Sequence, residues 1–258
     1  MIIYDITSSI VLFKNDRVVL RQAIDSFLNT SLRVRLYLVD NSPTDCLKDL
    51  IQDSRVEYIY NNKNLGFGVA HNTIIDKVLK ISKYHLILNP DVYYANGMLE
   101  KMFNYLECNT KYGHLMPKVL YPDGSLQYLC KHNPTFFDLF ARRFLPKFIS
   151  KYFKKRMEMY EFRDHTYNEI IENVPFLSGC FMLVRTSVFE EVGGFDEKIF
   201  MYVEDADLSR RILTKFNNIY FPDAVIFHHF GKGSHKKLSL TLHSIYGAFV
   251  YFRNWYFK

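Results

Sequence analysis

The feature that most constrains the fold is a regular alternation of strand and helix patterns in the first third of the chain. Strand patterns, apolar and rich in β-branched residues, occur at 7–13, 34–39, 56–60 and 84–88. Helical patterns lie between them at 20–28, 43–51 and 69–81. Strands that alternate with helices favour a mostly parallel sheet with right-handed crossovers. The sequence therefore predicts an α/β fold with a central sheet flanked by helices.

Length and composition agree with one large folded unit. The chain has 258 residues, of which 48% are hydrophobic, so it can bury a sizeable core. The formal net charge of +6 indicates an anionic partner without requiring nucleic acid, and no nucleic-acid motif is found. We expect no nucleic-acid partner.

The cysteines and the N-terminus indicate a compartment. The four cysteines share no CxxC spacing, which argues against a zinc site and a disulfide framework. The first residues carry an early acid and no basic region, and the chain has no run of about 18 apolar residues. The prediction is a cytoplasmic protein in a reducing environment.

Polar residues follow each predicted strand of the parallel sheet. In open α/β sheets ligands bind outside the carboxyl ends of the strands. The residues expected at that edge are Phe13, Asn15, Asp40, Asn41, Asn61, Asn62, Asn89 and Asp91. Their amides and acids suit ribose hydroxyls, a base edge and a phosphate-bound cation. The alternative is that Asn and Asp are there because they favour turns.

A glycine-containing segment, residues 64–72, follows the third strand and opens a helix. Its glycines permit positive φ and close backbone approach, and the first N–H groups of the helix can face an anion. The segment has no GK[ST] and no third glycine, so it is neither a P-loop nor a dinucleotide fingerprint.

Three carboxylates are concentrated in residues 200–211, where an aromatic stretch turns into a helix. Asp207 can pair with Arg210 and Arg211 at helical spacing, which is an ordinary structural role. Glu204 and Asp205 have no basic residue three or four positions later. Because a carboxylate beside a hydrophobic wall is suited to proton abstraction, these two are the candidate catalytic residues.

Two segments combine basic and aromatic residues. Residues 131–156 contain eight Lys and Arg against one acid, and residues 238–258 repeat the aromatic pattern. One interpretation is an amphipathic surface that rests on anionic lipid headgroups. The other is a helical excursion that packs its aromatic residues on the core and leaves a solvated basic face.

Several segments together resemble one family. They are residues 39–42, 64–72, 88–92, 177–185, 193–197, 204–205 and 222–229. In this order and spacing they resemble a family two glycosyltransferase with the GT-A fold, and most closely the rhamnosyltransferase-like branch that builds bacterial surface polysaccharides. The resemblance covers nearly the whole chain.

The resemblance implies roles for individual residues. Asp205 corresponds to the catalytic base, with Glu204 beside it. Asp91 and His228 correspond to the ligands of Mg²⁺ or Mn²⁺. The implied donor-binding residues are Phe13, Asn15, Asp40, Asn41, Asn64, Gly66, Asn72, Asn89 and Asp91. The implied acceptor-binding residues are Gly179, Gly194, Phe195, Asp196 and Tyr202.

Two departures from the family pattern stand out. The first strand ends in residues 12–15, Leu-Phe-Lys-Asn, where relatives have Thr-Tyr-Asn. Asn89 replaces an acid of the family's Asp-x-Asp motif, which removes one negative charge from the metal site.

The function implied is inverting transfer of a sugar from a nucleotide diphosphate to a glycan or lipid-linked glycan in polysaccharide or O-antigen synthesis. The expected donor is dTDP-L-rhamnose, followed by UDP-galactofuranose, UDP-galactose or UDP-glucose. The expected location is the inner face of the cytoplasmic membrane, held peripherally by an anionic lipid surface. The alternatives are a catalytically inactive nucleotide-sugar-binding partner subunit and a nucleotidyltransferase, which would need a glycine-rich triphosphate loop that the N-terminus lacks.

The organisation expected along the chain has four parts. Residues 1–125 form a nucleotide-sugar-binding half, and 126–174 form a helical basic and aromatic insertion. Residues 175–235 form the acceptor and catalytic half of the same GT-A domain. Residues 236–258 form a C-terminal amphipathic helix.

Overall fold

The structure is a computed structural model that describes residues 2–50, 52–139, 151–230 and 238–257. Its first four strands are β1 Tyr4–Leu12, β2 Val34–Asp40, β3 Val56–Tyr60 and β4 Ser82–Leu88. They pair in parallel in the order β3-β2-β1-β4. Helices α1 Arg17–Leu28 and α2 Phe67–Val78 lie where the sequence predicts them. The predicted α/β fold with a parallel start is confirmed.

The helix expected after Pro43 is wrong in extent. The segment forms only a 3-10 turn at Lys48–Leu50, with Lys48 N–H donating to Asp45 O and Leu50 N–H to Leu47 O. Leu47 is buried whereas Leu50 is only partly so. A short helix in a protein depends on tertiary packing of an apolar face, and one buried leucine does not supply such a face.

The rest of the chain extends the sheet and covers it. Its strands are β5 Val92–Tyr94, β6 Tyr112–Leu120, β7 Cys130–Lys131, β8 Ile171–Glu172, β9 Phe176–Leu177, β10 Phe181–Arg185 and β11 Asn217–His228. Its helices are α3 Met98–Cys108, α4 Lys154–Tyr160, α5 Thr186–Val192, α6 Glu204–Leu213 and α7 Leu238–Tyr256.

The sheet becomes mixed beyond β4. The strand order is β3-β2-β1-β4-β10-β6-β11-β5, with β8 also paired to β11. Strand β10 is antiparallel to both of its neighbours, while β6 and β11 are parallel. Strands β7 and β9 form a separate antiparallel pair. The carboxyl end of β4 therefore lies beside the start of β10, which brings residues far apart in sequence to one edge.

Helices cover both faces of the sheet. One core cluster packs α1 and α3 on the sheet through residues such as Ile24 and Met102. On the other face, α2 packs through Ile74 against Tyr37, and α5 and α6 pack through Phe189 and Leu208. Buried apolar surface on both sides fixes the sheet in the middle of a three-layer fold.

Helix α7 is anchored on α6. Tyr251 and Phe252 are buried, the Arg210 guanidinium donates to Tyr251 Oη at 3.1 Å, and Trp255 Nε1 donates to Asp207 Oδ1 at 2.8 Å. The predicted ion pair of Asp207 forms with Arg211 at 2.8 Å. Within the described residues, no helix is long and apolar enough to span a bilayer.

The described part of the basic and aromatic insertion packs on the protein. Asp138 pairs with Arg156 at 3.1 Å, and the Phe136 ring stacks on Phe252 with centroids 3.6 Å apart. Leu139 packs against the cluster that contains Tyr251. These contacts favour the core-packing interpretation for this part; residues 140–150, including Pro146, lie outside the described range.

Gly66 fixes the approach of α2 to the acidic segment, and we expect its substitution to destabilise the fold. A Cβ there would lie 2.4 Å from Phe200 O, at a φ of +83°. Gly124 has the same φ of +83° with nothing within 4 Å of an added Cβ, so it is a matched control. Gly66→Ala should cost about 1–3 kcal/mol more than Gly124→Ala, measured by denaturant unfolding. Equal losses would mean that the close contact carries no weight.

Candidate active site

The acidic segment enters α6 through a strained turn. Tyr202 and Val203 have φ of 68° and 59°, in the left-handed region that a β-branched residue rarely adopts. The preceding Phe200 carbonyl accepts the N–H of Phe67 at 3.1 Å, so the first amide of α2 is occupied by protein and not directed at an anion. Such strain persists only where surrounding contacts enforce it. Here the turn determines where the side chains of the first residues of α6 point.

Asp205 is the accessible carboxylate of this turn. Its side chain is partly exposed, its Oδ2 accepts the N–H of Gly179 at 2.9 Å, and its Oδ1 accepts the N–H of Ala206 at 2.9 Å. A Cβ on Gly179 would lie 3.1 Å from Asp205 Cβ, so only glycine lets the backbone N–H approach so closely. Gly179 therefore positions Asp205; its predicted contact with an acceptor stays a prediction.

Glu204 differs from Asp205 in its environment. It is 6% exposed, and its Oε2 has no hydrogen-bond partner among the described residues. Burial, and then the charge of Asp205, raise the pKa of Glu204 well above its usual value. Burial also raises the pKa of Asp205, but the Gly179 N–H and the Lys131 charge oppose that rise. The Gly179 N–H and the Lys131 charge thus favour the charged form of Asp205, whereas burial and the charge of Asp205 disfavour the charged form of Glu204.

Asp91 and His228 meet at the edge of the sheet. His228 Nε2 lies 3.3 Å from Asp91 Oδ1, and the pairing of β5 with β11 places Val92 opposite His228. The Asp91 carbonyl accepts the N–H of His229 at 3.0 Å. Residues separated by more than a hundred positions are thus held side by side by backbone pairing.

Gln127 fixes the orientation of His228. Its Nε2 donates to the His228 carbonyl at 2.7 Å, which leaves Oε1 as the atom 3.0 Å from His228 Nδ1. Because Oε1 can only accept, Nδ1 carries the hydrogen, and a neutral ring presents the lone pair of Nε2 towards Asp91. A ligand histidine held in this way by its other nitrogen is typical of metal sites.

The pair fits a divalent cation that shares its shell with substrate. Two ligand atoms at right angles on an ion such as Mg²⁺ lie about 3 Å apart, close to the 3.3 Å observed. Among the described residues, no group of three or more His, Cys, Asp or Glu side chains could hold a metal. Phosphate and water oxygens would have to supply the remaining positions, as Mg²⁺ sites commonly require.

The start of β10 brings Asp91 and Asp205 to one place. The Cys180 carbonyl accepts the N–H of Asn89, at 2.9 Å, while the neighbouring Gly179 holds Asp205. Burial raises the pKa of the Cys180 thiol to about 12, and the charges of both Asp91 and Asp205 contribute to this rise. The predicted base and the predicted metal ligand therefore flank the same backbone segment.

The donor residues predicted at the ends of β2 and β3 form one hydrogen-bonded group. Asp40 is fully buried and accepts from Ser42 N–H at 2.7 Å and from Tyr58 Oη at 2.5 Å. Asn41 Nδ2 donates to the Gly66 carbonyl at 3.0 Å, and Asn64 Oδ1 accepts the Gly66 N–H at 3.0 Å. The group is preorganised, and nucleotide contact by its members stays a prediction.

The loop after β1 is open. Phe13 is 44% exposed, and its N–H donates to Asn15 Oδ1 at 2.7 Å. Lys14 N–H donates to Ser42 Oγ at 2.9 Å, which ties this loop to the end of β2. Phe13 therefore offers an exposed ring at the predicted donor edge.

Asn72, predicted near the donor, holds a turn. Its Nδ2 donates to the Phe195 carbonyl at 2.9 Å, and its Oδ1 accepts the Phe195 N–H at 2.8 Å. Phe195 is buried against Phe67 and His71. This arrangement assigns Asn72 and Phe195 a structural role, since both polar groups of the Asn72 side chain are engaged by backbone.

Gly194 and Asp196, two of the predicted acceptor-binding residues, lie on a surface groove, and their contact with an acceptor stays a prediction. They line an open groove of about 690 Å³ with Asp207, Arg211, Arg253, Asn254 and Trp255. Residues two positions apart on a helix project roughly 200° apart, so the Asp207 side of α6 is not the Asp205 side. Asp196 Oδ2 accepts from Asn254 Nδ2 at 2.9 Å, which is a fold contact.

Two residues of the site escape sequence reasoning. Gln127 is one. The other is Lys131, which is 7% exposed, lies with Nζ 4.9 Å above the Phe176 ring, and lowers the pKa of both Asp205 and Cys180. Neither has a motif or a helical spacing that marks it, and the only sequence signal is their position in the insertion predicted at 126–174.

The structure combines a mixed α/β sheet with the Asp205 carboxylate and the Asp91–His228 pair near one edge of that sheet. The sequence profile of "Glycosyl transferase family 2" matches residues 8–193, and the chain belongs to that family. Asp205 and His228 lie beyond the matched residues, and the structure brings them to the matched part.

Two relatives are named rhamnosyltransferases. An N-acetylglucosaminyl-diphospho-decaprenol L-rhamnosyltransferase of Mycobacterium tuberculosis is 28% identical over 214 residues, 78% of this chain and 68% of the relative. The rhamnosyltransferase WbbL of Escherichia coli K12 is 27% identical over 188 residues, 69% of this chain and 66% of the relative.

Solved structures share the fold. A crystal structure of GalNAc-T7 with UDP, GalNAc and Mn²⁺ superposes with a TM-score of 0.65 at 14% identity, covering 88% of this chain and 43% of that chain. A mannosyltransferase from Pyrobaculum calidifontis, in complex with GDP-Man and Mn²⁺, gives 0.59 at 14% identity, covering 91% and 61%. This chain thus spans less than two thirds of each of those solved chains.

Because the pKa of Glu204 is raised, we expect Glu204→Gln, its neutral isostere, to increase the free energy of unfolding by an amount that depends on pH. A carboxyl with a raised folded pKa contributes stability below the unfolded value of 4.5, and that stability is lost as pH rises. Glu204→Gln should therefore gain stability relative to the parent by up to about 1.4 kcal/mol per pH unit above that value, by denaturant unfolding.

Glu191→Gln is the control for this experiment. Lys215 lowers the pKa of Glu191, so its contribution is present at neutral pH and lost on acidification. Its effect should have the opposite pH dependence. A pH-independent effect of Glu204→Gln would contradict a raised pKa of Glu204.

Gln127→Ala should weaken divalent metal binding roughly 10- to 100-fold, because it releases the His228 ring. The measurement is a Mn²⁺ titration by electron paramagnetic resonance in the presence of nucleoside diphosphate. Gln22→Ala is the matched control, since Gln22 Oε1 lies 3.3 Å from Nε2 of the adjacent His229. Unchanged Mn²⁺ affinity in Gln127→Ala would remove its orienting role.

Proposed function

We propose that this protein transfers a sugar, with inversion, from a nucleoside diphosphate sugar to a hydroxyl group of an acceptor. The observation that carries the proposal is the placement of Asp205 and Asp91 on either side of the Gly179–Cys180 backbone, with His228 3.3 Å from Asp91. A base and a diphosphate-binding pair at one edge are what an in-line displacement needs.

The chemistry assigned to Asp205 is proton abstraction. Its carboxylate takes the proton of the acceptor hydroxyl, the hydroxyl oxygen bonds to the anomeric carbon, and the bond from that carbon to the diphosphate oxygen breaks on the opposite face. The nucleoside diphosphate leaves with the bonding electron pair. Burial raises the pKa of Asp205, which makes it a stronger base than an ordinary aspartate, while the Gly179 N–H and the Lys131 charge favour its ionised form.

Asp91 and His228 are the residues proposed to hold Mg²⁺ or Mn²⁺, which supplies neutralisation of charge on the diphosphate. The carboxylate oxygen suits both ions, and the imidazole nitrogen suits a transition metal such as Mn²⁺ better than Mg²⁺; the two solved structures of the same fold contain Mn²⁺. Asn89 in place of an acid leaves the pair with one carboxylate, so we expect metal and donor to bind together.

The donor and acceptor proposed follow from the relatives. Both characterised relatives are named rhamnosyltransferases, which supports dTDP-L-rhamnose over a UDP-hexose or UDP-galactofuranose. The name of one includes a sugar linked to a polyprenol diphosphate, which supports a lipid-linked glycan acceptor in polysaccharide or O-antigen synthesis. Such an acceptor lies in a membrane, and we place the protein peripherally on its inner face.

Transfer assays with several donors test this proposal. We expect rhamnose from dTDP-L-rhamnose to appear on a lipid diphosphate-linked N-acetylglucosamine, with release of dTDP and dependence on Mn²⁺. Asp205→Asn should lose roughly 10²–10⁴-fold in rate because the base is gone, with dTDP binding kept. Glu191→Gln, which changes an exposed acid paired with Lys215, is the control and should retain full activity.

Two results would overturn parts of the proposal. Near-normal transfer by Asp205→Asn removes Asp205 as the base. Donor binding without turnover, on every acceptor tried, favours the alternative of a non-catalytic partner subunit.

A further inference from the structure

One face of helix α7 is apolar and open to solvent. Its exposed residues include Leu242, Ile245, Tyr246 and Phe249, which are 61%, 51%, 54% and 59% exposed. Their spacing of three and four residues places them on one side of the helix. We call these four residues the α7 stripe. A contiguous exposed apolar patch of this kind marks an interaction surface.

The opposite face of α7 is fixed on the protein, so the helix cannot roll to bury the stripe. Tyr251 and Phe252 are buried, and Trp255 donates to Asp207 at 2.8 Å. A Cβ on Gly247 would lie 3.3 Å from the Tyr202 carbonyl, which shows how closely the helix approaches the turn before α6.

The rim of the stripe is cationic and aromatic. Arg253 and Tyr256 are exposed on the same side of α7, and Phe257 beyond it is 65% exposed. Helix α7 contains no Asp or Glu, and the last acidic residue of the whole sequence is Asp223. Apolar side chains with tyrosines and an arginine at their edge are the composition of helices that lie in a membrane interface.

The charge pattern favours anionic lipid over a second copy of the chain. In a two-fold dimer built on this face, both copies would bring Arg253 to the interface, and α7 offers no carboxylate to pair with either. Anionic headgroups supply that counter-charge, each basic residue near such a surface contributing about 1 kcal/mol. The net charge of +6 acts in the same direction.

We propose that the α7 stripe docks on an anionic phospholipid bilayer, with its apolar side chains at the boundary between headgroups and acyl chains. The basic insertion at 131–156 adjoins this surface, since its Phe136 packs on Phe252 on the buried face of α7 and lies near Phe257, but it contributes no residue to the stripe. The docking itself does not depend on the reaction.

Docking also orients the candidate active site, and this step rests on the proposed function. The Phe200 ring stacks on His243 of α7 with centroids 4.1 Å apart, and Tyr202 contacts Gly247 through its carbonyl. The turn that leads into Glu204 and Asp205 is thus built against the docking helix. A bilayer under the stripe would lie next to the base that must reach a lipid-linked hydroxyl.

Vesicle binding by the full chain tests the proposal. The variant Leu242→Ser, Ile245→Ser, Tyr246→Ser, Phe249→Ser removes the stripe without touching the buried face. We expect more than a tenfold loss of co-sedimentation with vesicles of equimolar phosphatidylcholine and phosphatidylglycerol. Wild type should bind these vesicles more tightly than pure phosphatidylcholine, and added salt should weaken the binding.

The matched control replaces exposed apolar residues elsewhere. Ile3, Val18 and Ile170 are 50%, 78% and 40% exposed, and their triple change to Ser should leave vesicle binding unaltered. If the quadruple variant does not fold, as judged by circular dichroism, the single change Phe249→Asp at an exposed position replaces it. Equal vesicle binding by the folded variant and wild type would overturn the proposal.

Two further measurements distinguish a lipid bilayer from a second copy of the chain on this face, and lipid docking from sugar transfer. Sedimentation velocity that shows a wild-type dimer, and a monomer for the stripe variant, would assign the face to a second copy and overturn lipid docking. Vesicle binding lost with the stripe in a protein that transfers no sugar would support docking while refuting the proposed function. If the stripe variant still transfers sugar to a detergent-solubilised acceptor but transfers less to a vesicle-embedded acceptor, both lipid docking and the proposed function are supported.

Discussion

The hydrogen bonds at the start of β10 are the constraint on which the candidate site depends. Gly179 N–H holds the Asp205 carboxylate, and the next carbonyl, of Cys180, accepts the N–H of Asn89. Because β10 runs antiparallel to β4, its first residues necessarily lie at the carboxyl end of β4. A single backbone segment therefore sets the relation between the proton-accepting group and the Asp91–His228 pair.

Helix α6 connects that chemistry to the remaining layers. On one side of α6, Asp205 accepts the N–H of Gly179. On the other side, Asp207 pairs with Arg211 and accepts a hydrogen bond from the indole N–H of Trp255 in α7. Its first residues follow a left-handed turn, a conformation that stable packing must enforce. The buried Glu204, whose pKa is raised by burial, adds a second local cost. Local features of this kind, which lower the stability of the fold, are common at functional sites, where the geometry of the site requires them.

Sequence reasoning identified residue types better than it identified roles. The Asp–Arg pairing of Asp207 and Arg211 follows from helical spacing, and the structure confirms it. Asn72 and Phe195 stood out in motifs, yet their contacts with one another are structural. Gln127 acts through its side-chain amide on His228, and Lys131 is placed by the pairing of β7 with β9. No local sequence pattern encodes either contact, so both residues were missed. A polar residue in a motif is marked as important, but the motif does not show whether the residue binds a ligand or supports the fold.

The sequence by itself determined the alternation of strands and helices, the parallel start of the sheet, and the polar residues at its carboxyl edge, because apolar periodicity and turn propensity are local properties. The tertiary structure alone decided which acid is accessible, how His228 is oriented, and which face of α7 stays open to solvent. Burial, pKa and exposure are set by neighbours distant in the chain, and no short-range pattern contains them.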